Sequence, residues 1–185
     1  MTDLTEKALR SELIFDGTVV HLYKDEVLLP NGNKSVREYV KHVGAVCILP
    51  LTDAGEVVLE RQYRYAMQQT LIEIPAGKLD SPLEDVRRAA LRELREETGI
   101  VPRELIDLGE YYGSPALIGE RIRMFLARGL CFGAQELDED EFLEVFTMPL
   151  ERAVEEVLAG RIPDGKTQLA ILKAKAYLEK EGKTI

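Results

Sequence analysis

Three glutamates stand close together in residues 92–100, which read Arg-Glu-Leu-Arg-Glu-Glu-Thr-Gly-Ile. If this stretch is helical, Glu93, Glu96 and Glu97 are neighbours, because residues three and four apart lie side by side on a helix. Carboxylates packed so closely repel each other unless cations lie between them. Carboxylate oxygens suit Mg²⁺ or Mn²⁺ better than they suit zinc. The pattern therefore predicts a site for divalent metal ions.

The same residues have a simpler interpretation. Arg92 and Arg95 can neutralise the glutamates by local pairing on a solvated helix face, and charge-rich faces of this kind are common. In that case Arg92 forms only a surface ion pair, and its removal changes stability by about 0.5 kcal/mol.

A helix is predicted to position the glutamates. Val86, Ala90 and Leu94 recur at helical spacing within residues 84–98, so they can face a core while the glutamates lie on another face. Gly99 is predicted to end this helix, because glycine readily adopts the left-handed conformation found at helix C-termini.

Extended runs separated by turn signals surround the predicted helix. Before it, residues 12–29 and 36–43 read as an antiparallel hairpin system with a turn at Asn31-Gly32. Further strands are predicted at 45–51, 57–62, 71–75 and 121–128, and helices at 149–159 and 167–179. The acidic run 136–144 is predicted to be a solvated loop, with a second metal site there as the minor alternative. Together these elements predict an α/β (α+β) fold with a mixed sheet between helices.

Composition narrows the possible functions and partners. The 185 residues carry a net charge of -9, which argues against a general electrostatic grip on nucleic acid. No apolar run approaches the roughly twenty residues that cross a bilayer, and no leader pattern opens the chain. We therefore expect a cytoplasmic protein with no nucleic-acid or membrane partner. Cys47 and Cys131 lie in apolar contexts and are predicted to be buried thiols.

Residues 77–100 resemble the signature of the Nudix hydrolases. That signature runs from a glycine through a first glutamate to Arg-Glu-aliphatic-any-Glu-Glu-any-Gly-aliphatic. Gly77 and Glu84 open it here, with one residue more between them than the family usually has, and residues 80–82 absorb the insertion. The resemblance implies a Nudix-like α/β/α sandwich with a mixed β-sheet.

The surrounding residues are most similar to the ADP-ribose pyrophosphatases of this family. The landmarks are residues 29–32, 37–38, 41–46, 61–64, 73–79, 114–120 and 165–167. The resemblance implies metal-dependent hydrolysis of ADP-ribose to AMP and ribose 5-phosphate. It also implies residues 43–185 as the catalytic domain and residues 1–42 as an N-terminal β appendage.

The same resemblance implies roles for individual residues. Glu93, Glu96 and Glu97 hold Mg²⁺ or Mn²⁺, and the backbone carbonyl of Ala76 adds a ligand. Glu120 orients or deprotonates the water, while Arg92 orients the glutamates. Ala116 stands where the subfamily loop has glycine, so a need for positive φ there would shift or strain the loop.

Specificity is expected from residues outside the signature. By resemblance, Arg37, Arg64 and Glu73 recognise the phosphates and the adenine-ribose part, although each can equally pair with a charged group of opposite sign on a neighbouring strand. The resemblance also implies a homodimer with exchanged N-terminal strands, which would cover strand edges that otherwise invite uncontrolled pairing.

Two alternatives share most of these observations. The first is another Nudix pyrophosphatase that cleaves GDP-mannose, a different nucleotide sugar or a dinucleotide. The second is a catalytically silent module that senses a nucleotide metabolite. Silent members usually lose residues of the signature, whereas Arg92 and the three glutamates are all present here.

Overall fold

The computed structural model describes residues 2–139 and 141–182, and the chain divides into two compact units. The first unit contains the described residues up to Gly44 together with Tyr112–Arg121. The second contains Ala45–Tyr111 and the described residues from Ile122 onward. The predicted N-terminal appendage did not include residues 112–121, which return to the first unit from the middle of the chain.

An antiparallel sheet of three strands forms the first unit. Its strands are β1 (Lys7–Asp16), β2 (His21–Leu28) and β3 (Lys34–Lys41), in that order across the sheet. Gly17 closes the first turn by donating to the carbonyl of Val20, and Gly32 adopts φ 83° in the second. The predicted N-terminal hairpin system is confirmed.

The second unit holds seven strands in two sheets. These are β4 (Ala45–Pro50), β5 (Glu56–Arg64), β6 (Gln69–Glu73), β7 (Ala76–Lys78), β8 (Ile100–Tyr111), β9 (Ile122–Phe132) and β10 (Leu143–Pro149). A four-stranded sheet has the order β7-β4-β9-β8, with β4 and β9 parallel and the other pairs antiparallel. An antiparallel sheet has the order β10-β5-β6.

Helices cover both faces of these strands. They are α1 (Val86–Thr98), α2 (Leu150–Leu158) and α3 (Gly165–Lys180). Successive side chains of a strand point to opposite faces, and β4 uses both. Its Val46 and Ile48 pack in the core cluster that contains Leu94 of α1, whereas Cys47 and Leu49 pack in the cluster that contains α2 and α3 residues. The α/β/α prediction is confirmed, although the strands form two sheets, of which the four-stranded one is mixed.

Several details differ from the prediction. Strand β8 follows α1 directly and was not predicted, because its residues alternate too irregularly to indicate a strand. Strand β10 begins at Leu143, inside the predicted acidic loop, and Asp140 of that loop lies outside the described residues. Cys47 is buried as predicted, but Cys131 is exposed. Within residues 2–139 and 141–182, the helices are too short or too polar to cross a membrane.

Candidate functional site

Helix α1 positions the three glutamates of the signature. The side chain of Asp85 caps its start by accepting hydrogen bonds from the amides of Arg87 and Arg88, each 3.0 Å long. Gly99 ends the helix with φ 70°, and its amide donates to the carbonyl of Arg95. The predicted helix and its glycine stop are therefore confirmed.

Arg92 joins two of the glutamates. Its Nη1 donates to Glu93 Oε1 at 2.7 Å and to Glu96 Oε2 at 3.2 Å, while Nη2 donates to the carbonyl of Lys78. Burial lowers the pKa of Arg92, but the charges and hydrogen bonds of Glu93 and Glu84 outweigh this effect and raise it. The Arg92 side chain is only 27% exposed. It therefore holds the carboxylates from a partly buried position and is more than a solvated surface charge.

The loop with the extra residue is closed on itself. Glu84 Oε2 accepts a hydrogen bond from the amide of Asp80 at 2.6 Å, and the amide of Glu84 donates to the carbonyl of Ser81. Arg92 lies 3.6 Å from Asp80 Oδ1 and 3.5 Å from Glu84 Oε1. The insertion is thus absorbed between two acidic side chains that share one arginine, and α1 keeps its signature spacing.

Gly77 lies directly under a glutamate of the signature. It pairs with Val46 in the ladder between β4 and β7. A Cβ atom at this position would lie 2.0 Å from Cδ of Glu93, which is far inside van der Waals contact. Glycine at this position lets the carboxyl group of Glu93 lie against the backbone.

Glu97 is the most deeply buried glutamate of the signature, with 3% of its surface exposed. Its Oε2 accepts a hydrogen bond from the amide of Ala76 at 2.9 Å. Burial, followed by the negative charges of Glu60 and Glu141, raises the pKa of Glu97 to about 10. Burial also raises the pKa of Glu93, although Arg92 partly offsets it. Both carboxyl groups lack full compensation for their charge.

These groups have the chemistry of a divalent-cation site. Within the part of the chain that the structure describes, no three histidine, cysteine or acidic side chains converge at ligand distance. Glu93 and Glu96 contact Arg92, and Glu97 contacts Ala76. The available donors are nevertheless all oxygens, which hard cations prefer, and the buried carboxyl groups gain from any added positive charge. The donor set therefore fits Mg²⁺ or Mn²⁺.

Two further acidic residues were not predicted at this site. Glu60 of β5 is 1% exposed, and burial is the main cause that raises its pKa to about 7. The charge of Glu141 raises the pKa of Glu60, Glu93 and Glu97. Glu60 could have been noticed as one charge at the end of the apolar run 57–59. Glu141 was hidden in the acidic run that we predicted to be solvated.

A second group of charges surrounds Glu73. Arg64 donates from Nε and Nη2 to the two oxygens of Glu73 at 2.6 and 2.7 Å, and Lys166 Nζ donates to Glu73 and to Asp164. Burial raises the pKa of Glu73, but Arg64 and Lys166 outweigh it, so this pKa lies below its usual value. Arg64 and Glu73, predicted to bind substrate, are brought together, and Lys166 is a partner that the sequence analysis did not assign.

Arg37 and Glu120, the remaining predicted site residues, belong to the first unit. Arg37 donates from Nε to Glu6 at 2.9 Å, and its Nη1 donates to Ser35 and to the carbonyl of Val36. Its side chain is 46% exposed. The predicted alternative, an ion pair with a carboxylate, is present for Arg37 as it is for Arg64.

Glu120 ends a loop that is tied to β3. The amide of Val40 donates to the carbonyl of Leu117, the amide of Gly119 donates to the carbonyl of Val40, and Glu120 Oε1 lies 3.5 Å from His42 Nε2. Among the described non-glycine residues, positive φ occurs only at Gln68, so Ala116 is accommodated without that strain.

The comparisons with known proteins identify the family. The family model of the NUDIX domain matches residues 41–168. The chain belongs to the Nudix hydrolases. Enzymes of this family generally need divalent metal ions, in agreement with the donor set on α1.

Individual relatives match nearly the whole chain. An ADP-ribose pyrophosphatase of Bacillus subtilis is 44% identical over 92% of this chain and 93% of its own. A methanol dehydrogenase activator of Bacillus methanolicus is 42% identical over 90% of each chain. A GDP-mannose pyrophosphatase of Pectobacterium atrosepticum is 33% identical over 93% of each. A crystal structure of an ADP compounds hydrolase covers 100% of both chains with a TM-score of 0.86 at 23% identity, which supports the same fold.

Proposed function

We propose that this Nudix hydrolase cleaves the pyrophosphate bond of ADP-ribose. One water is consumed, and the products are AMP and ribose 5-phosphate. The observation that carries the proposal is the set of buried, incompletely compensated glutamates on α1, above all Glu97, in a chain 44% identical to an ADP-ribose pyrophosphatase.

The metal ligands in this proposal are Glu93, Glu96, Glu97 and the carbonyl of Ala76. Bound Mg²⁺ or Mn²⁺ would neutralise the pyrophosphate oxygens and lower the pKa of a coordinated water. Arg92 holds Glu93 and Glu96, which limits the positions that their carboxylates can take before an ion binds. In this proposal Arg92 positions the ligands and does not react.

Two glutamates compete for the role of general base. Glu120 is the one that the family resemblance implies. Glu141 has independent support, because its charge is near enough to raise the pKa of Glu60, Glu93 and Glu97. A base must reach the attacking water, so we propose Glu141 as the second candidate.

Arg64 and Arg37 are the proposed phosphate ligands. An arginine presents a planar fork of donors that matches phosphate oxygens. Arg64 is 40% exposed while it is fixed by Glu73, which is itself almost fully buried. In this proposal Glu73 does not contact the substrate. It fixes the orientation of Arg64, and Arg64 binds the substrate.

We also propose a cytoplasmic homodimer with exchanged N-terminal strands. Every residue of β1 is exposed, and these include Leu9, Leu13 and Phe15, which are 44–57% exposed. A ten-residue edge strand with apolar side chains is a surface that proteins normally cover. Light scattering of the purified protein tests this point: the mass of a monomer would contradict it.

The decisive experiment compares hydrolysis of ADP-ribose and GDP-mannose, each with Mg²⁺, with Mn²⁺ and without added metal. AMP, GMP and sugar phosphates are separated by chromatography. Metal-dependent release of AMP from ADP-ribose supports the proposal. Preferred release of GMP would keep the metal chemistry and change the substrate to that of the GDP-mannose relative. Binding of ADP-ribose without turnover would instead indicate a sensor.

A pair of matched variants separates the two candidate bases. Glu120→Gln and Glu141→Gln each remove one carboxylate without changing its shape. The base variant should lower kcat roughly a hundredfold while Mn²⁺ binding stays nearly unchanged. If neither variant lowers kcat, both assignments are wrong.

A further inference from the structure

A buried carboxylate on β5 has an oxygen without a partner. Glu60 is 1% exposed, and Glu60 Oε2 accepts no hydrogen bond from any residue that the structure describes. Buried polar atoms are hydrogen-bonded in the great majority of cases, so each exception requires an explanation. Leaving a charged oxygen unpaired in a protein interior is unfavourable unless a cation compensates it.

The strand register directs Glu60 towards helix α1. Residues two apart on a strand share a face, so Glu60 lies on the same face of β5 as Val58. Val58 packs in one core cluster with Leu94 of α1. Glu97 lies three residues beyond Leu94 and therefore on the same side of the helix. Glu60 and Glu97 thus lie on the sides of β5 and α1 that contribute to this shared cluster.

The charges around Glu60 agree with this placement. The carboxylates of Glu97, Glu73 and Glu141 repel it, and the cations of Lys166 and Arg64 attract it. The cations direct their hydrogen bonds elsewhere. Arg64 donates to Glu73, and Lys166 donates to Glu73 and Asp164. Neither cation therefore donates a hydrogen bond to Glu60 Oε2.

We propose that Glu60 supplies an additional carboxylate oxygen to the divalent-cation site, from the strand opposite the glutamates of α1. This inference rests on the proposed function, because it assumes that Glu93, Glu96 and Glu97 bind the cation. A cation between β5 and α1 would satisfy Glu60 Oε2 and relieve its repulsion with Glu97. Glu60 is then part of the site because it raises the affinity for the ion.

The test is Mn²⁺ binding to the substrate-free protein, measured by titration calorimetry and by the electron paramagnetic resonance signal of free Mn²⁺. Glu60→Gln keeps the shape and removes the charge. Loss of a supporting group at a metal site typically weakens metal binding 10- to 100-fold, so we expect at least about tenfold weaker binding. The matched control is Glu144→Gln on the neighbouring strand, whose side chain is 70% exposed and which should bind Mn²⁺ normally.

Thermal unfolding without metal distinguishes this role from a structural one. Glu60→Gln removes a buried charge whose Oε2 has no hydrogen bond, so the metal-free variant should melt no lower than the wild type, and added Mn²⁺ should raise its Tm less. If Glu60→Gln does not fold, Glu60→Leu replaces it in the test, because leucine fills the same space without polar atoms. This variant should also bind Mn²⁺ more weakly.

Two results would overturn the inference. One is unchanged Mn²⁺ affinity in a folded Glu60 variant. The other is weaker binding that accompanies an equal loss of metal-free stability, since Glu60 would then support the fold alone. Neither depends on catalysis. The proposed function fails separately, if the wild-type protein binds Mn²⁺ but hydrolyses no ADP-ribose.

Discussion

Glu60 and Glu73 lie directly opposite each other on strands β5 and β6, and each is 1% exposed. Glu73 has two cationic partners that bond both of its oxygens, and its pKa falls below the usual value. Among the residues that the structure describes, Glu60 Oε2 has no such partner, and burial raises the pKa of Glu60 to about 7. Burial raises the pKa of both carboxyl groups, and only at Glu73 do cationic partners outweigh it.

The difference separates a completed ion-pair network from the proposed cation site. The charge of Glu73 is compensated within the chain, so this network can support the fold and fix Arg64 without any ligand. Glu60 and Glu97 remain short of positive charge, which is a property of functional sites more often than of structural ones. Burial alone would not have distinguished the two groups, whereas their hydrogen-bond partners do.

The largest expected effect is at Glu97, on the uncompensated side of the comparison. Glu97→Gln should lower kcat for ADP-ribose roughly a hundredfold or more, because it removes the negative charge of a proposed metal ligand without changing the shape of the side chain. The metal-free variant should melt at or above the wild-type temperature, since a buried repulsion is lost. Steady-state kinetics and thermal unfolding check the two parts, and near-normal turnover would refute the metal assignment.

Glu73→Gln should have the opposite effect on stability. It leaves Lys166 and Arg64 without their shared carboxylate, although Asp164 still pairs with Lys166 and Arg64 is partly hydrated. We expect a loss of about 2 kcal/mol in the free energy of unfolding, below the range for a fully buried pair. Chemical denaturation near neutral pH measures it. A stability equal to that of the wild type would mean that the network contributes little.

The same substitution should change the acid dependence of stability. The folded pKa of Glu73 lies below its ordinary value of 4.5, so the unfolded chain binds its proton first as the pH falls. The stabilisation is fully present above about pH 4.5 and is lost as the pH falls through the folded pKa. Glu73→Gln should therefore lose less stability than the wild type below that pH, in denaturation curves recorded as a function of pH.

Gly77→Ala should have a smaller effect, concentrated on the site. The added Cβ overlaps the end of the flexible Glu93 side chain, which can turn away while β7 stays paired. A displaced ligand should lower kcat roughly tenfold, in the range of a perturbed metal shell. The measured Tm should change little. A large drop in Tm with full activity per folded molecule would show that the contact supports packing alone.

The smallest effect is expected at an exposed ion pair on the sheet that contains Glu60 and Glu73. Arg61 lies 3.1 Å from Glu144, with side chains 41% and 70% exposed. Water and salt screen such pairs, so Glu144→Gln should change the free energy of unfolding by about 0.5 kcal/mol or less. Denaturant titration checks this value. A change as large as that at Glu73 would show that exposure is a poor guide to the strength of these pairs.

Much of the fold followed from local patterns in the sequence. The helix of the signature was predictable because Val86, Ala90 and Leu94 share one face and Gly99 ends it. The N-terminal hairpins were predictable from their turn residues. Strand β8 was not, because its apolar and polar residues do not alternate regularly along its length. The division of the second unit into two sheets depends on long-range pairing, which no local pattern reports.

The residues of the candidate site also divide into those that the sequence predicted and those that it did not. Glu93, Glu96 and Glu97 were identified because their helical spacing is itself a chemical signal. Glu60 lies in a run that is buried on both faces of β5, so alternation could not show which way it points. Lys166 reaches Glu73 across 93 residues of sequence, and Glu141 was masked by the other acidic residues around it.

The return of residues 112–121 to the first unit limits how this protein can be re-engineered. A shortened chain beginning at Ala45 would deprive Gly119 and Leu117 of the Val40 backbone groups that bond them. The N-terminal strands are therefore not a detachable extension. A chimaera that takes these strands from a relative should also take the relative's residues at positions 112–121, because the two segments are hydrogen-bonded to each other.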